Sequence, residues 1–568
     1  MSHYPFYEKR NNIILPASWE FSFNRNQDID AFDPAAQVFT DHLTLPGCFD
    51  AMEQFAGAKG TGCYKSSFRL DHAAKLRLHI GGMGLYCRIY CDGREIGRSN
   101  MPFTPLNFDF QADAGVHTLM IAINNICNEA KAPQFQLSVD FYAFGGIYYS
   151  FYLMEMPDFY IDRAYISMID PAAGKIGVTF QFGSNVPAET DVRYSFDNAA
   201  EEKTFHCNIQ DGKAYMEAVV PDPTLWTPDA PVLHTLHCEI EGDSITERFG
   251  LRSIEVKGRE ILLNGEPLKL FGFNRHEHHP DFGAALPGVI HLNDLMLIRK
   301  TGANFVRGSH YPQHQGFLDL CDELGILVWE EGLAWGKQTP EGMCDPLFIQ
   351  SQLDNVRAMI GESRNHPSII MWGYLNECNS FDEEPAKLYK SLTDMIHQLD
   401  PQRPVTFALL GRKDHIVFEY ADIVSMNLYP GWYDTEEEEI RTIHLIEPVI
   451  KDYMEYLDNT TAAKDKPFII SEIGAAALYG NKDRFRARWT EGYQADHLEE
   501  VIRIVGENTR INGVALWMFS DTRTGMQGRV LRRPRGYNNK GVFDEHRNPK
   551  EAVCVVTQGF KKYLNKER

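Results

Sequence analysis

Two glutamates, each directly after an apolar run, are the residues of this sequence best placed for acid–base chemistry. Glu377 follows Asn376 just past the run 369–374, and Glu472 follows the run 468–471. If both side chains converge, one carboxyl group can transfer a proton while the other attacks an electrophilic carbon. Retaining hydrolysis of a glycosidic bond uses such a pair, with the two carboxyl groups about 5–5.5 Å apart. For either glutamate alone, a surface or capping role is the alternative.

A group of basic residues near the end of the chain contrasts with the charge of the whole. The 568 residues carry a formal net charge of −22, with a pI near 5.4, which argues against nucleic acid or anionic membranes as partners. An anionic substrate must therefore be met by a local group of cations. A solvated basic loop is the alternative interpretation of such a group. Its five members are Arg529, Arg532, Arg533, Arg535 and Lys540.

The region after residue 254 is expected to position these groups, because apolar strands alternate there with amphipathic helices. Helices are predicted over 292–300 and 317–324, and Gly325 is a stop signal for the second one. Eight such units over residues 255–568 predict a C-terminal (β/α)₈ TIM barrel. The predicted strands are 268–273, 304–308, 326–329, 369–374, 405–408, 423–426, 468–471 and 514–518.

Active sites of TIM barrels lie at the carboxyl ends of the strands, and this rule narrows the search for functional residues. Glu377 ends the fourth predicted strand and Glu472 the seventh, so both carboxylates are expected at the barrel mouth. The polar residues at or just past strand ends are His310, Glu330, Asn376, Glu377, Asn427, Glu472 and Asp521.

The chain before the barrel is predicted to be all-β. Residues 1–160 contain short apolar or alternating runs separated by turn signals such as Asp92-Gly93. Residues 161–254 continue in the same style over a length that fits an immunoglobulin-like β-sandwich. The sequence thus predicts a multidomain protein with β domains preceding the barrel.

The segments around these candidates resemble glycoside hydrolase family 2, which contains β-galactosidases, β-glucuronidases and β-mannosidases. The resemblance covers nearly the whole chain and rests on segments 274–280, 309–312, 365–377 and 471–474. It implies an N-terminal β jelly-roll sandwich that binds sugar over 1–160, an immunoglobulin-like sandwich over 161–254 and a catalytic barrel over 255–568.

The same resemblance assigns catalytic roles. Glu377 would be the acid/base and Glu472 the nucleophile of a double displacement, while Asn376 would bind the sugar 2-hydroxyl. One departure is Ile473, where many relatives carry a tyrosine, so any support from that ring is absent or supplied elsewhere.

Within the family, the chain is similar to the β-glucuronidase branch, whose Asn-x-Lys motif matches Asn538-Asn539-Lys540. A carboxylate at C6 of a sugar suits a cation together with neutral donors, because charge-assisted hydrogen bonds are the stronger kind. Asn538 and Lys540 are therefore expected to hold a uronate. The further contacts implied are Tyr429 and Tyr433 after strand six, Trp517 as a pocket wall, Arg535 in the basic loop, and Asp140 of the first domain on the sugar 4-hydroxyl.

The segment 276–280, His-Glu-His-His-Pro, bears on metals and on the identity of the sugar. It lacks the HExxH spacing, and segment 330–335 lacks the histidine of the β-galactosidase magnesium site, so no metal or other cofactor is predicted. His276 and His310 are expected to be neutral hydrogen-bonding groups for sugar hydroxyls or catalytic carboxylates. The segment is closer to β-galactosidases than to typical glucuronidases. A galactosidase-like environment for the 4-hydroxyl, combined with a site for the C6 carboxylate, would suit galacturonate, the C4 epimer of glucuronate.

Together these features predict an enzyme that hydrolyses β-D-glucuronides, acting on a small-molecule or oligosaccharide β-uronide. A β-galacturonidase or a dual-specificity β-hexuronidase is the first alternative. A plain β-galactosidase and a catalytically inactive carbohydrate-binding protein are less favoured, and a homo-oligomer is a possible state.

Localisation is predicted from the N-terminus and the cysteines. The first ten residues contain no apolar core for a signal peptide, and no apolar run reaches the ~18–20 residues of a membrane span. The 11 cysteines lack Cys-x-x-Cys pairs, which favours reduced thiols. The expected location is the cytoplasm.

Overall fold

The computed structural model describes residues 4–131, 140–197, 202–433, 440–525 and 533–564. Two antiparallel β-sandwiches precede a parallel barrel, so the predicted fold class is confirmed. Arg529 and Arg532, two members of the basic group, lie outside the described residues.

The first unit is a jelly-roll sandwich of a four-stranded and a six-stranded antiparallel sheet, with an additional two-stranded pair. In the strand Gly115–Asn124, Leu119, Ile121 and Ile123 of one face are fully buried, and Ala122 of the other face is buried as well. The strands are Asn12–Ile13, Ser18–Arg25, Asp41–Thr44, Gly47–Cys48, Gly60–Leu70, Ala74–Ile80, Tyr86–Cys91, Arg94–Ser99, Leu106–Ala112, Gly115–Asn124, Gly146–Ile147 and Phe151–Glu155.

The second unit is an immunoglobulin-like sandwich of a three-stranded and a four-stranded antiparallel sheet. Apolar residues of both sheets, including Val178, Phe180, Val192 and Leu236, are fully buried between them. The strands are Phe159–Asp170, Lys175–Ser184, Glu189–Phe196, Lys203–Asn208, Lys213–Val219, His234–Ile240 and Asp243–Phe249.

The third unit is the barrel, whose strand pairs are all parallel. The fifth strand consists of two short pieces on either side of Phe407, and these pieces are the first and last members of the sheet. The sheet therefore returns to the same stretch of chain and closes. The strands are Leu270–Arg275, Phe305–Gly308, Leu327–Glu331, Ile369–Gly373, Val405–Thr406 with Ala408–Leu410, Val424–Asn427, Phe468–Ile473 and Gly513–Leu516.

Helices pack around this barrel, and both helices predicted individually are present. The second ends at Gly325, whose φ of 69° is a left-handed conformation that glycine adopts readily. No helix in the described ranges combines the length and apolarity needed to cross a membrane. The α-helices are Gly288–Lys300, Gln315–Leu324, Pro340–Met343, Pro346–Ser363, Glu383–Leu399, Ile446–Asn459, Glu491–Glu507 and Ala552–Leu564.

Two small antiparallel sheets complete the barrel at its ends. The strands Ile254–Lys257, Glu260–Leu263 and Glu266–Pro267 form one, and its apolar residues pack with the starts of the barrel strands. The other pairs Thr522–Arg523 with Tyr537–Asn538, and its second strand leads into Lys540. Since the amino end is filled by apolar side chains, the carboxyl end is the side open to a ligand.

Candidate active site

A cavity of about 480 Å³ opens at the carboxyl end of the barrel. Its volume lies in the range of about 300–1,000 Å³ that is typical of small-molecule sites. Both predicted catalytic glutamates line it, together with five of the ten predicted substrate contacts. These five are Asp140, Tyr429, Tyr433, Trp517 and Lys540.

Glu472 is held by donors on both of its carboxylate oxygens. Tyr429 donates its hydroxyl to Oε2 at 2.7 Å, and Arg307 donates Nη1 to Oε1 at 2.9 Å. The side chain is buried at the end of the strand Phe468–Ile473. A carboxylate fixed beside a guanidinium in this way presents an oriented anion to the cavity.

Glu377 stands on a sharp turn after the fourth strand. Its φ is 51°, and its backbone N–H donates to Ala408 O on the fifth strand at 2.8 Å. Asn427 donates Nδ2 to Glu377 Oε1 at 2.9 Å and lies 3.1 Å from Asn376 Oδ1. Ser471 in turn donates to Asn427 Oδ1 at 2.7 Å. Asn427 therefore links the strand ends that carry the two glutamates.

Arg307 connects the strand ends around the cavity by hydrogen bonds, and it was not among the residues predicted from the sequence. Its fully buried guanidinium donates to Glu331 at 2.8 and 2.9 Å, to Asn274 at 2.9 Å, to Asn376 at 2.8 Å and to Glu472 at 2.9 Å. A signal was available, since a lone arginine inside an apolar strand requires buried anionic partners. Arg307 sets the position of the nucleophile candidate relative to Asn376.

Asn376 keeps donor capacity for a ligand. Its Oδ1 accepts from Arg307 and Asn427, whereas its buried Nδ2 has no hydrogen-bond partner within the described part of the chain. A buried amide donor without a partner is costly, so it is suited to a group supplied by substrate. This geometry fits the expected contact with a sugar 2-hydroxyl.

His276 and His310 are neutral at ordinary pH. Burial, reinforced by Arg307, lowers the pKa of His310 to about 3, and burial followed by the charges of His310 and Arg307 lowers the pKa of His276 well below its usual value. The His310 ring stacks on Trp517 with centroids 5.2 Å apart, and the His276 ring meets Trp517 edge-on at 5.4 Å. Both histidines thus support a ring that lines the cavity.

Lys540 brings a buried positive charge to the cavity. Its side chain is 1% exposed, and its Nζ donates to the Tyr433 hydroxyl at 2.7 Å. No carboxylate oxygen of the described residues lies within 4.0 Å of this ammonium. Burial, followed by the charge of Arg533, lowers the pKa of Lys540. For Tyr433, burial raises the pKa of the phenol, but Lys540 and Arg533 outweigh it and the net pKa is lowered.

Among the described arginines of the basic group, Arg533 reaches the cavity. It donates Nε to Asp140 Oδ1 at 2.7 Å and a second bond from Nη2 to Asp140 Oδ2. Asn538 donates Nδ2 to the same Asp140 carboxylate at 3.0 Å and so touches the wall of the cavity through it. The predicted contact Arg535 instead pairs with Glu545 at 2.7 Å and does not line the cavity. The Asn-x-Lys motif singled out the lysine of the basic group, but the sequence offered no firm basis for preferring Arg535 among its four arginines.

Asp521 holds the loop that carries Lys540. It accepts from Gly541 N at 2.9 Å, from Asn539 Nδ2 at 3.1 Å and from Lys550 Nζ at 2.7 Å. Burial raises the pKa of this carboxyl group to about 6 in spite of Lys550. Asp521 is therefore a supporting residue of the cavity rather than part of its lining.

Glu330, another polar residue at a strand end, also lies away from the cavity lining. It accepts from Ser363 Oγ at 3.1 Å, and burial raises its pKa to about 8. The side chain is fully buried on the third strand. Glu330 is therefore part of the protein interior.

Two groups of possible metal ligands occur among the described residues, and neither lines the cavity. One is buried and consists of Asp319, Asp322 and His366, but protein partners occupy it: Arg248 reaches Asp319 at 2.7 Å and His366 reaches Asp322 at 2.6 Å. The other, Cys91 with Asp92 and His117, is in the first sandwich. The cavity chemistry described above is carried by carboxylates, amides, phenols and cations.

Comparison with known proteins agrees with this geometry. Residues 254–564 match the family "Glycosyl hydrolases family 2, TIM barrel domain" and residues 160–252 match "Glycosyl hydrolases family 2". A β-glucuronidase of Streptococcus agalactiae serotype V is 28% identical over 603 residues, covering 97% of this chain and 96% of its own.

Solved structures show the same architecture. A family 2 β-galacturonidase from Eisenbergiella tayi, bound to galacturonate, is 30% identical and covers 99% of this chain and 98% of its own, with a TM-score of 0.88. A β-glucuronidase of Faecalibacterium prausnitzii is 25% identical and covers 98% of both chains, with a TM-score of 0.84. Because the barrel match alone spans more than half of the chain, this protein belongs to glycosyl hydrolase family 2 and is a glycoside hydrolase.

Proposed function

We propose that this enzyme is an exo-acting β-hexuronidase whose preferred substrates are β-D-glucuronides. The observation that carries the proposal is Lys540, a buried cation on the cavity wall with a phenol as its hydrogen-bond partner and no described carboxylate within 4.0 Å. A buried ammonium without a counter-charge is costly, and a sugar carboxylate would provide that charge. Arg533, Asn538 and Tyr433 surround the same corner.

The proposed reaction is a double displacement in which the two glutamates have different tasks. Glu472, oriented by Arg307 and Tyr429, attacks the anomeric carbon while Glu377 protonates the departing glycosidic oxygen. Water then attacks the glycosyl–Glu472 ester, Glu377 takes its proton, and the uronate leaves with its configuration retained. The donor Nδ2 of Asn376 is placed to strengthen its bond to the 2-hydroxyl as the transition state develops.

Related proteins support the substrate class. The relative from Streptococcus agalactiae is a β-glucuronidase that matches this chain almost from end to end. The Faecalibacterium prausnitzii structure is likewise a β-glucuronidase. A uronate substrate is also consistent with two cations, Lys540 and Arg533, that line the cavity of an otherwise acidic chain.

A β-galacturonide is the second candidate substrate, and one observation favours it. The Eisenbergiella tayi enzyme at 30% identity is a β-galacturonidase with galacturonate bound. The two sugars differ only at C4, next to the C6 carboxylate, so the proposed carboxylate site serves either of them. Dual specificity is the intermediate possibility.

We also propose a cytoplasmic location. All 11 cysteines lie among the described residues and are free, and eight of them are buried. Free thiols in this number are typical of a reducing compartment.

The test is a panel of aryl β-glycosides that share one leaving group. The wild-type enzyme should hydrolyse the β-glucuronide or the β-galacturonide with a kcat/KM at least about a hundredfold above that for the β-galactoside, since each charge-assisted bond contributes about 1.5–3 kcal/mol. Hydrolysis of the galactoside alone would make the enzyme a β-galactosidase. Sugar binding without turnover at any pH would make it a binding protein.

A further inference from the structure

If the protein is a hexuronidase, as proposed above, its cavity must accept or reject each of the two C4 epimers, glucuronate and galacturonate. We propose that Arg533 is a positioning residue that fixes the Asp140 carboxylate, and that this pair determines which epimer at C4 is accepted. Arg533 and Asp140 come from different units of the molecule and meet on the cavity wall.

The contacts of Asp140 leave it little rotational freedom. Arg533 donates hydrogen bonds from Nε and Nη2 to the two carboxylate oxygens of Asp140, and Asn538 donates a further hydrogen bond of 3.0 Å to Oδ2. A two-point contact between guanidinium and carboxylate fixes the plane of the carboxylate as well as its position. The Asp140 and Arg533 side chains are only 13% and 17% exposed, so solvent competes weakly with these bonds.

The number of acceptor sites then limits what Asp140 can do for a substrate. An ionised carboxylate offers about four acceptor positions, and three of them are filled by Arg533 and Asn538. One position remains for a hydroxyl donor in the cavity. Since the plane of the Asp140 carboxylate is fixed, a sugar hydroxyl can donate to the remaining acceptor position from one direction only.

The sugar ring has its own fixed points in the same cavity. Glu472 determines where the anomeric carbon lies, and Lys540 with the Tyr433 hydroxyl marks the place of the C6 carboxylate. When both ends of the sugar ring are held, the equatorial 4-hydroxyl of a glucuronide and the axial 4-hydroxyl of a galacturonide point in different directions. Asp140 can accept from only one of them without turning, and Arg533 prevents it from turning.

Arg533 is also coupled to the carboxylate corner. Its Nη2 lies 3.5 Å from the Tyr433 hydroxyl, and that hydroxyl accepts from Lys540. Asn538 likewise stands two positions before Lys540 and bonds Asp140. A change at Arg533 should therefore weaken the binding of both uronides through this corner and, through Asp140, alter the ratio between the two epimers.

The experiment measures kcat/KM for an aryl β-glucuronide and an aryl β-galacturonide in wild type, Arg533→Gln, Arg533→Lys and Asp140→Asn. The wild-type ratio of the two values should differ from one by at least about tenfold, and it should move toward one by about tenfold in Arg533→Gln, as expected for a lost charge-assisted bond. A wild-type ratio near one would contradict selection of one epimer by this pair. Arg533→Lys should restore part of the ratio. The double variant Arg533→Gln/Asp140→Asn should change the ratio no further than Asp140→Asn alone, because Arg533 acts through Asp140.

A matched control is Arg503→Gln, which removes an arginine paired with Glu447, Glu500 and Glu507 away from the cavity. Its epimer ratio should equal that of wild type. An unchanged ratio in Arg533→Gln, with either equal losses on both substrates or no loss, would overturn the positioning role. If the wild-type enzyme cleaves neither uronide, the proposed hexuronidase function itself fails, and that outcome is distinct from an unchanged ratio.

Discussion

At the scale of single residues, the two glutamates of the cavity are held by different sets of neighbours. Glu472 is fixed by Arg307 and Tyr429, while Glu377 is placed by a left-handed turn and by Asn427. An amide at position 472 can keep both contacts of the carboxylate, because its oxygen can accept from Arg307 and its N–H can donate to the Tyr429 hydroxyl, which also accepts. The chemistry of residue 472 can therefore be changed while the architecture is kept.

Glu472→Gln tests the assignment of the nucleophile. The amide retains the shape of the side chain but does not form the glycosyl ester, so turnover of an aryl β-uronide should fall by about four orders of magnitude or more. Steady-state kinetics gives the loss, and a thermal unfolding scan checks that the fold persists. Wild-type turnover in this variant would exclude Glu472 as the nucleophile.

The lowered pKa of Lys540 predicts how binding of free uronate depends on pH. Burial and Arg533 lower this pKa from its ordinary value of 10.5, so the ammonium is lost as pH rises through a value below 10.5. The uronate remains ionised there, and its affinity, measured by inhibition or calorimetry because binding needs no proton from Glu377, should fall on the alkaline side. In Lys540→Arg the guanidinium stays charged, and the alkaline fall should move to higher pH. Superimposable normalised pH profiles for the two proteins would contradict this role.

The residue scale also shows where the sequence stops being informative. Glu377 and Glu472 were identifiable because each follows an apolar run, and strand ends converge in a barrel. Arg307 was not singled out, because its importance comes from four partners on or just past other strands. The choice of Arg533 over Arg535 depends on the local turn, where Arg535 has a φ of 60° and pairs with Glu545.

At the scale of elements, the short pair of strands after the eighth barrel strand presents the residues that we propose bind the sugar carboxylate. Thr522–Arg523 pairs with Tyr537–Asn538, and Asp521 ties the following turn to Lys550. Both members of the Asp521–Lys550 ion pair are fully buried. The position of Lys540 thus depends on a buried ion pair that lies outside the cavity.

Asp521→Asn tests this support. The change leaves the Lys550 ammonium buried without its counter-charge, which should reduce the free energy of unfolding by about 3–5 kcal/mol. KM for an aryl β-uronide should rise several-fold more than kcat falls, because the loop carries the carboxylate contacts. Denaturant titration and steady-state kinetics measure the two effects. An unchanged KM would mean that the loop holds its position without Asp521.

The positions of the barrel strands were more predictable from the sequence than the way in which the strands pair. The seventh strand, predicted over 468–471, is observed as Phe468–Ile473, and all eight barrel strands occur where apolar runs predicted them. The break at Phe407 was not predicted, because the sequence gives no indication of where strand five changes its hydrogen-bonding neighbour. Hydrophobic runs locate strands, whereas pairing depends on neighbours distant in sequence.

At the scale of the whole molecule, the cavity is shared between units. Asp140 belongs to the first unit, between its strands Gly115–Asn124 and Gly146–Ile147, and it meets Arg533 of the barrel. The next residue, Phe141, packs on His276 with ring centroids 5.1 Å apart. The second unit is joined to the barrel by Asn365, which bonds Ile166 N at 3.0 Å and Ala164 O at 2.9 Å. Site geometry therefore depends on the assembled chain.

Arg10→Met tests how the assembly is held. Arg10 donates to both oxygens of buried Asp243 at 3.0 and 2.9 Å and to Ile161 O at 2.7 Å, which joins the N-terminal segment to the second unit. Removing the guanidinium leaves a buried carboxylate unpaired and should cost about 3–5 kcal/mol in urea unfolding. The control Lys75→Met removes an exposed pair with Asp158 and should cost less than about 1 kcal/mol. Equal effects of the two variants would contradict the role of the buried pair.

The central claim, that Lys540 binds a carboxylate at sugar C6, is tested most directly by comparing two substrates that differ only at that carbon. Wild type and Lys540→Met are assayed with an aryl β-uronide and the matching neutral aryl β-glycoside. The claim predicts that kcat/KM for the uronide falls about ten- to a hundredfold, in line with the loss of a charge-assisted bond, while kcat/KM for the neutral glycoside stays within about twofold. Equal losses on both substrates, or an unchanged value for the uronide, would contradict it.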